Sequence, residues 1–294
     1  MPQEQTLHAS ESGDPSLPAA AVVLSKHRAE NFPVALCVLP RALREQLFSL
    51  YGFARLVDDI GDELQGDRLA ALAGVDAELD ALFAGDTPRH PVLLRLARTV
   101  RGKRLSEEPL RRLVEANRLD QRVRRYKTWD ELKRYCHYSA NPVGELVLEL
   151  LDAATPVRIR YSNAICSALQ LTEHCQDVRE DLIEKGRIYL PEEDRQRFAV
   201  TEAALRAATA GEEVRALLHF EVARARELLR EGEPLLGTLR GYGRLAVAGF
   251  VAGGFAALDS IEEADGDVLR GAPRPGRART LAYLVAGFMR RRAS

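Results

Sequence analysis

Asp58 and Asp62 stand four residues apart in the stretch DDIGDE, as do Asp59 and Glu63. On a helix each pair falls on one side, about 6 Å apart along the axis. Two carboxylates so placed repel each other. They become useful where a divalent cation bridges them, because Mg2+ takes hard oxygen ligands from one or two carboxylates together with substrate phosphates. Taken alone, the cluster reads equally as a hydrated helix end. Arg55, one turn before Asp58, is spaced to pair with a carboxylate or to reach a phosphate. A second group changes the balance: in LTEHCQDVREDLIEKGRIYLP, Glu173, Asp177 and Asp181 follow at successive spacings of four. They make one acidic stripe and leave Cys175, Val178 and Leu182 to face a core. Two such stripes suit opposing walls of a metal–diphosphate site, and neither has the spacing of an EF-hand, an H-E-x-x-H or a Cys/His zinc site.

The elements that must position these carboxylates read as helices. Ala, Leu, Arg and Glu fill most segments, β-branched runs are few, and the apolar period is helical throughout, so the chain is expected to be all-α. Breaks are expected at Pro40, at FAGDTPRHP, at YLPEED and at RGAPRPG. TWDE, starting at Thr128, has the pattern of a capping box, and Pro142 should interrupt the helix that follows it. The basic run RLDQRVRRYK, residues 118–127, reads as a solvated helix face, since it has no interleaved aromatics for base stacking. Residues 1–18 are polar and expected to be disordered, with residues 19–294 forming one domain. The 294 residues carry a net charge of -1, which gives no bulk attraction for nucleic acid or an anionic membrane. Cys37, Cys136, Cys166 and Cys175 contain no C-x-x-C pair and read as reduced, buried thiols of a cytoplasmic protein. The apolar run at residues 245–258 is too short and too rich in glycine to span a bilayer.

Read together, these segments resemble the squalene/phytoene synthase family from about Ala29 onward. DDIGD after YGFAR resembles the family's first aspartate-rich motif, QLTEHCQDVREDLIEKGRIYLP its second, and YCHYSANPVGE the segment between them. ENFPVALCVLP, YSANPVGELVL and the glutamine before Asp177 are similar, more narrowly, to bacterial hydroxysqualene synthases of hopanoid pathways. The resemblance implies a helical isoprenoid synthase bundle around a central cavity. Within it a cluster of three Mg2+ ions would hold a diphosphate between the two motifs. It also implies that Asp58, Asp62, Asp177 and Asp181 bind metal, and that Tyr51, Arg55, Tyr135 and Gln170 line the diphosphate and allylic end, with Arg28 near an N-terminal basic position. Two departures stand out. Glu173 takes the place of the family's asparagine, keeping an oxygen ligand while adding charge, and the loop from Asp181 to Arg187 is one residue longer than usual, which leaves Lys185, Arg187 and Tyr189 unplaced.

The implied reaction is Mg-dependent conversion of presqualene diphosphate to hydroxysqualene, a cation rearrangement ended by water with no nicotinamide. The alternatives are head-to-head condensation of farnesyl or geranylgeranyl diphosphate, an all-α pyrophosphatase acting on nucleotides, or a silent assembly factor. Breaking an allylic C–O bond leaves a carbocation that needs apolar and aromatic surroundings. Phe32, Phe48, Tyr51, Phe53, Tyr138, Phe250 and Phe255 are candidates, each also readable as ordinary core. The glycines of VAGFVAGGFAAL are expected to leave room for a long prenyl chain. His174 and His137 read as surface or supporting histidines rather than general bases. The expected partners are a prenyl diphosphate and other squalene-pathway enzymes; the C-terminal segment ending in the arginines at 290–292 reads first as ordinary helix packing and second as a peripheral membrane contact. No nucleic acid is expected.

Overall fold

A computed structural model describes residues 17–18 and 39–289. Arg28, Phe32 and Cys37 lie outside the described residues, as do the arginines at 290–292. Among the described residues there is no strand, only an isolated parallel bridge between Arg125 and Ile188.

Among the described residues the first helix follows Pro40, whose fixed φ suits a helix start. This helix, α1 (Arg41–Asp62), buries Leu47, Leu50, Phe53, Leu56, Val57 and Ile60 along one stripe. In α2 (Arg68–Ala84) the Asp67 side chain accepts the Ala70 N–H as an N-cap, and the helix stops at Gly85 with φ 98°. Next come α3 (Pro91–Lys103), with proline in its first turn, and α4 (Glu107–Asp120). The Thr128 hydroxyl caps α5 (Trp129–Ser139), as its sequence pattern predicts. The reciprocal bond from Glu131, however, reaches the N–H of Lys127 at 2.7 Å rather than that of Thr128. Pro142 ends the run as expected: α5 closes at Ser139 and α6 (Asn141–Leu150) begins two residues later. There follow α7 (Pro156–Gln176), α8 (Glu212–Gly232), α9 (Gly241–Glu263) and α10 (Arg277–Met289).

Two apolar clusters hold these helices. Phe53, Leu72, Leu93, Val114 and Leu146 belong to one, built on α1–α4 and α6. Leu132, Leu171, Leu218, Val222, Leu258 and Ile261 belong to the other, built on α5 and α7–α9. The glycines of α9 depart from expectation. A Cβ on Gly254 would lie 2.7 Å from Leu169 and 3.0 Å from Leu229, so this glycine draws α9 against α7 and α8, while Gly253 faces open space. By length and composition α9 could cross a membrane, but 61% of its apolar window is buried in the protein. The run at 118–127 is not a simple solvated face either. It carries the buried Asp120 and Tyr126, and Arg125 binds Glu202 and the Gly186 carbonyl. Burial pushes the Cys136 thiol up to about 12 and the Cys166 thiol up to about 11, in keeping with inert, unpaired cysteines.

Candidate active site

The last turn of α1 builds one acidic wall. Asp58 and Asp62 both line a cavity of about 190 Å3, to which α4 contributes Asn117 and Asp120. Asn117 donates to Asp58 Oδ1 at 3.1 Å and to the Leu113 carbonyl at 3.2 Å. A Cβ on Gly61 would sit 2.1 Å from Asn117 Oδ1, so the glycine of DDIGD is what lets Asn117 lie against Asp58. Asp58 opens onto the cavity but is otherwise ringed by protein. That desolvation, with Asp62 nearby, pushes its carboxyl up to about 6 against the Asn117 hydrogen bond.

The opposite wall is irregular. α7 delivers Gln170, Glu173 and His174, then α-helical pairing ends at Gln176, and Asp177 adopts φ -102° and ψ 16°. After one α-turn the chain passes through a π-helical turn, Asp181–Lys185, and leaves it at Gly186 with φ 67°. A π turn takes one more residue per hydrogen-bonded ring than an α turn. Desolvation, with Asp181 and Glu180 nearby, raises the Asp177 carboxyl to about 6, and Lys185 and then Arg274 offset part of the shift.

Two cations of the chain enter between the walls. Lys185 Nζ lies 2.9 Å from Asp181 Oδ1 and 3.4 Å from Asp62 Oδ2, and Arg187 Nη1 lies 2.6 Å from Asp62 Oδ1. Beneath them Tyr135 and Tyr189 donate to the two oxygens of Asp120 at 2.7 and 2.9 Å. Burial raises both phenols well above their ordinary value, so they remain protonated donors. His174 is buried and stacks on Tyr189 with ring centroids 3.8 Å apart. Burial lowers its pKa to about 3, which makes it a neutral packing and hydrogen-bonding group, and not the surface residue its sequence context allowed.

Of the residues singled out in the sequence, the cavity brings together Asp58, Asp62, Tyr135, Gln170, Glu173, Asp177 and Asp181. Tyr51 and Arg55 are not among its lining residues. Arg55 turns to Asp59 at 2.8 Å and Glu63 at 3.0 Å, so of its two readings the structure realises the ion pair. Phe53 is fully buried in core, and Phe255 stacks on Tyr283. The sequence pointed neither to Asn117 and Asp120 nor to Ser139, which also line the cavity. The first two stand three apart on α4, a spacing that puts them on one helix face.

The donor set is suited to a hard cation. Six carboxylates, Asp58, Asp62, Asp120, Glu173, Asp177 and Asp181, line the cavity, and desolvation raises three of them, Asp58, Asp120 and Asp177, to about 6. Among the described residues no three acidic, His or Cys side chains are grouped closely enough to hold a metal ion by themselves, so a hard cation here would need further oxygen ligands such as water and phosphate.

The all-helical bundle is a squalene synthase-like isoprenoid synthase fold. A family model described as squalene/phytoene synthase matches residues 25–280, and the chain belongs to this family. It is 34% identical over 221 residues to a hydroxysqualene synthase of Rhodopseudomonas palustris, covering 74% of this chain and 73% of that one. It is 32% identical over 214 residues to a phytoene synthase of Arthrospira platensis, covering 68% and 69%. Among solved structures, squalene synthase HpnC from Alicyclobacillus acidocaldarius superposes with a TM-score of 0.77 at 40% identity, covering 84% of this chain and 94% of the other. The protein is an enzyme that processes prenyl diphosphates.

Proposed function

We propose that the enzyme converts presqualene diphosphate to hydroxysqualene with release of diphosphate. The observation that carries this reading is the convergence of both acidic walls on one cavity floored by tyrosines, in a chain similar to a hydroxysqualene synthase. Asp58, Asp62, Glu173, Asp177 and Asp181 would hold Mg2+, which supplies Lewis-acid stabilisation to the departing diphosphate.

The chain's own groups carry the rest. Lys185 and Arg187 stand where charge develops on the leaving group. Asp120 fixes the phenols of Tyr135 and Tyr189, which keep their protons and so supply no anionic oxygen to trap the cation. The C–O bond breaks with its electron pair on diphosphate, the cyclopropylcarbinyl cation rearranges, and a water lone pair forms the new C–O bond. The released proton passes to diphosphate or solvent. This sequence consumes no hydride, so no nicotinamide enters it.

Extraction and mass spectrometry after incubation with Mg2+ and presqualene diphosphate, without a nicotinamide, should yield hydroxysqualene. If presqualene diphosphate is untouched while farnesyl or geranylgeranyl diphosphate is condensed, the head-to-head condensation shared with the phytoene synthase relatives replaces it.

A further inference from the structure

Lys185 lies between the two acidic walls of the cavity. Its ammonium contacts a carboxylate from each wall, Asp181 on its own turn and Asp62 at the end of α1. The π-helical turn places it there. The N–H groups of Gly186 and Arg187 both return to the Asp181 carbonyl, closing the turn beneath the side chain of Lys185. The two cations between the walls are held differently. Arg187 is 5% exposed and lies 3.9 Å from Asp120 as well as on Asp62, so it is fixed in the floor. Lys185 is 31% exposed, its partners raise its pKa against the cost of burial, and its flexible four-carbon stem allows the charge to move.

We propose that Lys185 is a built-in counter-cation that makes metal binding depend on diphosphate. The proposal rests on the reading that the two walls jointly hold a metal–diphosphate unit. A divalent cation arriving alone at Asp62 and Asp181 must displace the ammonium from both carboxylates, and the ammonium gains nothing in exchange. Diphosphate arriving alone meets an excess of carboxylate. When both arrive, the carboxylates pass to the cation and Lys185 swings onto phosphate oxygens, so every displaced charge finds a partner. By linkage the effect is reciprocal: whatever factor diphosphate adds to the affinity for metal, metal adds to the affinity for diphosphate. The enzyme then assembles its metal site around a substrate headgroup and does not load metal beforehand.

The test uses the full chain, with Mg2+ and inorganic diphosphate as probes, alone and together. Calorimetric titration and thermal melting are applied to the wild type, Lys185→Met, Lys185→Gln and Lys185→Arg. Each variant is compared with its own ligand-free state, so a loss of ligand-free stability does not mimic the effect, and the glutamine variant serves if the methionine variant folds poorly. The wild type and Lys185→Arg should respond to the pair and hardly to Mg2+ alone. The two neutral variants should bind Mg2+ alone at least tenfold more tightly than the wild type, with the enhancement by diphosphate reduced by a similar factor. Neutral variants that bind Mg2+ alone no better than the wild type, while still binding the pair, overturn the role of Lys185 and leave the joint site standing. A wild type that does not bind the pair overturns the joint site and this proposal with it.

Discussion

The two acidic walls present similar carboxylates from dissimilar backbones. Asp58 and Asp62 come from consecutive turns of a regular helix, and the neutral side chain of Asn117 from α4 donates to Asp58. Glu173, Asp177 and Asp181 come from a helix end, a break and a π turn, and the wall carries its own cations in Lys185 and, just beyond, Arg187. The regular wall is thus positioned by a neighbouring helix and the irregular one by local distortion. The charge balance of the cavity lies across the two: both cations of the second wall rest on Asp62 of the first.

If the walls act as one site, the largest effect comes from removing either. Asp58→Asn and Asp177→Asn should each lower turnover by on the order of 10²–10³ or more, with helicity retained by circular dichroism. The double variant should lose little further, because groups that act as a unit are not additive. Near-normal turnover in either single variant would break the pairing of the walls.

A smaller effect tests how the first wall is positioned. Gly61→Ala forces Asn117 away from Asp58, and overpacking of this kind costs about 1–3 kcal/mol against about 1 kcal/mol regained in helix propensity. Turnover should fall roughly tenfold while thermal stability drops modestly, since a 1 Å misplacement at a site costs up to about 10²-fold. Gly74→Ala on α2, where the added Cβ meets nothing within 4 Å, should leave turnover unchanged and raise stability slightly. Equal behaviour of the two variants would remove the positioning role of Asn117.

The smallest effect concerns what stands behind the second wall. Glu221 on α8 is fully buried against Arg224, which also binds Asp194, and its field reaches Cys175 on α7. Burial raises its carboxyl from 4.5 to about 8. Since the folded value lies above the unfolded one, its stabilising contribution is complete below about pH 4.5 and is lost as pH climbs toward about 8. Melting curves of Glu221→Gln should therefore show a flatter loss of stability than the wild type across that window, with the curves separating most at its alkaline end. Parallel curves would mean that Glu221 does not gain its proton on folding.

Where backbone is regular, spacing in the sequence translated directly into position. The four-residue interval of Asp58 and Asp62, the Thr128 cap and the break before Pro142 all depend on nearest neighbours along a helix, and all appear in the fold. The second stripe converges on the cavity too, though not as the continuous helix its spacing suggests, because a π turn leaves no mark in a 3.6-residue period. Asn117 and Asp120 were hidden for a different reason. They lie in a segment dominated by basic residues, and only the packing of α4 against α1 and α5 turns them inward. Arg55 illustrates the remaining ambiguity: it had a carboxylate one turn away on either side of a choice that spacing alone left open, and it took Asp59 and Glu63. Gly254 shows the same limit for packing, since a glycine that leaves room and a glycine that draws helices together look alike in sequence.

The most direct test of a joint site is calorimetric titration of Mg2+ with inorganic diphosphate into the wild type, Asp58→Asn, Asp177→Asn and the double variant. A single unit held by both walls predicts that each single variant loses most of the binding free energy and that the double variant loses little more, giving a large coupling energy in the cycle. Additive losses, or one variant that binds the pair as the wild type does, would contradict a shared site and leave only one wall in contact with the diphosphate.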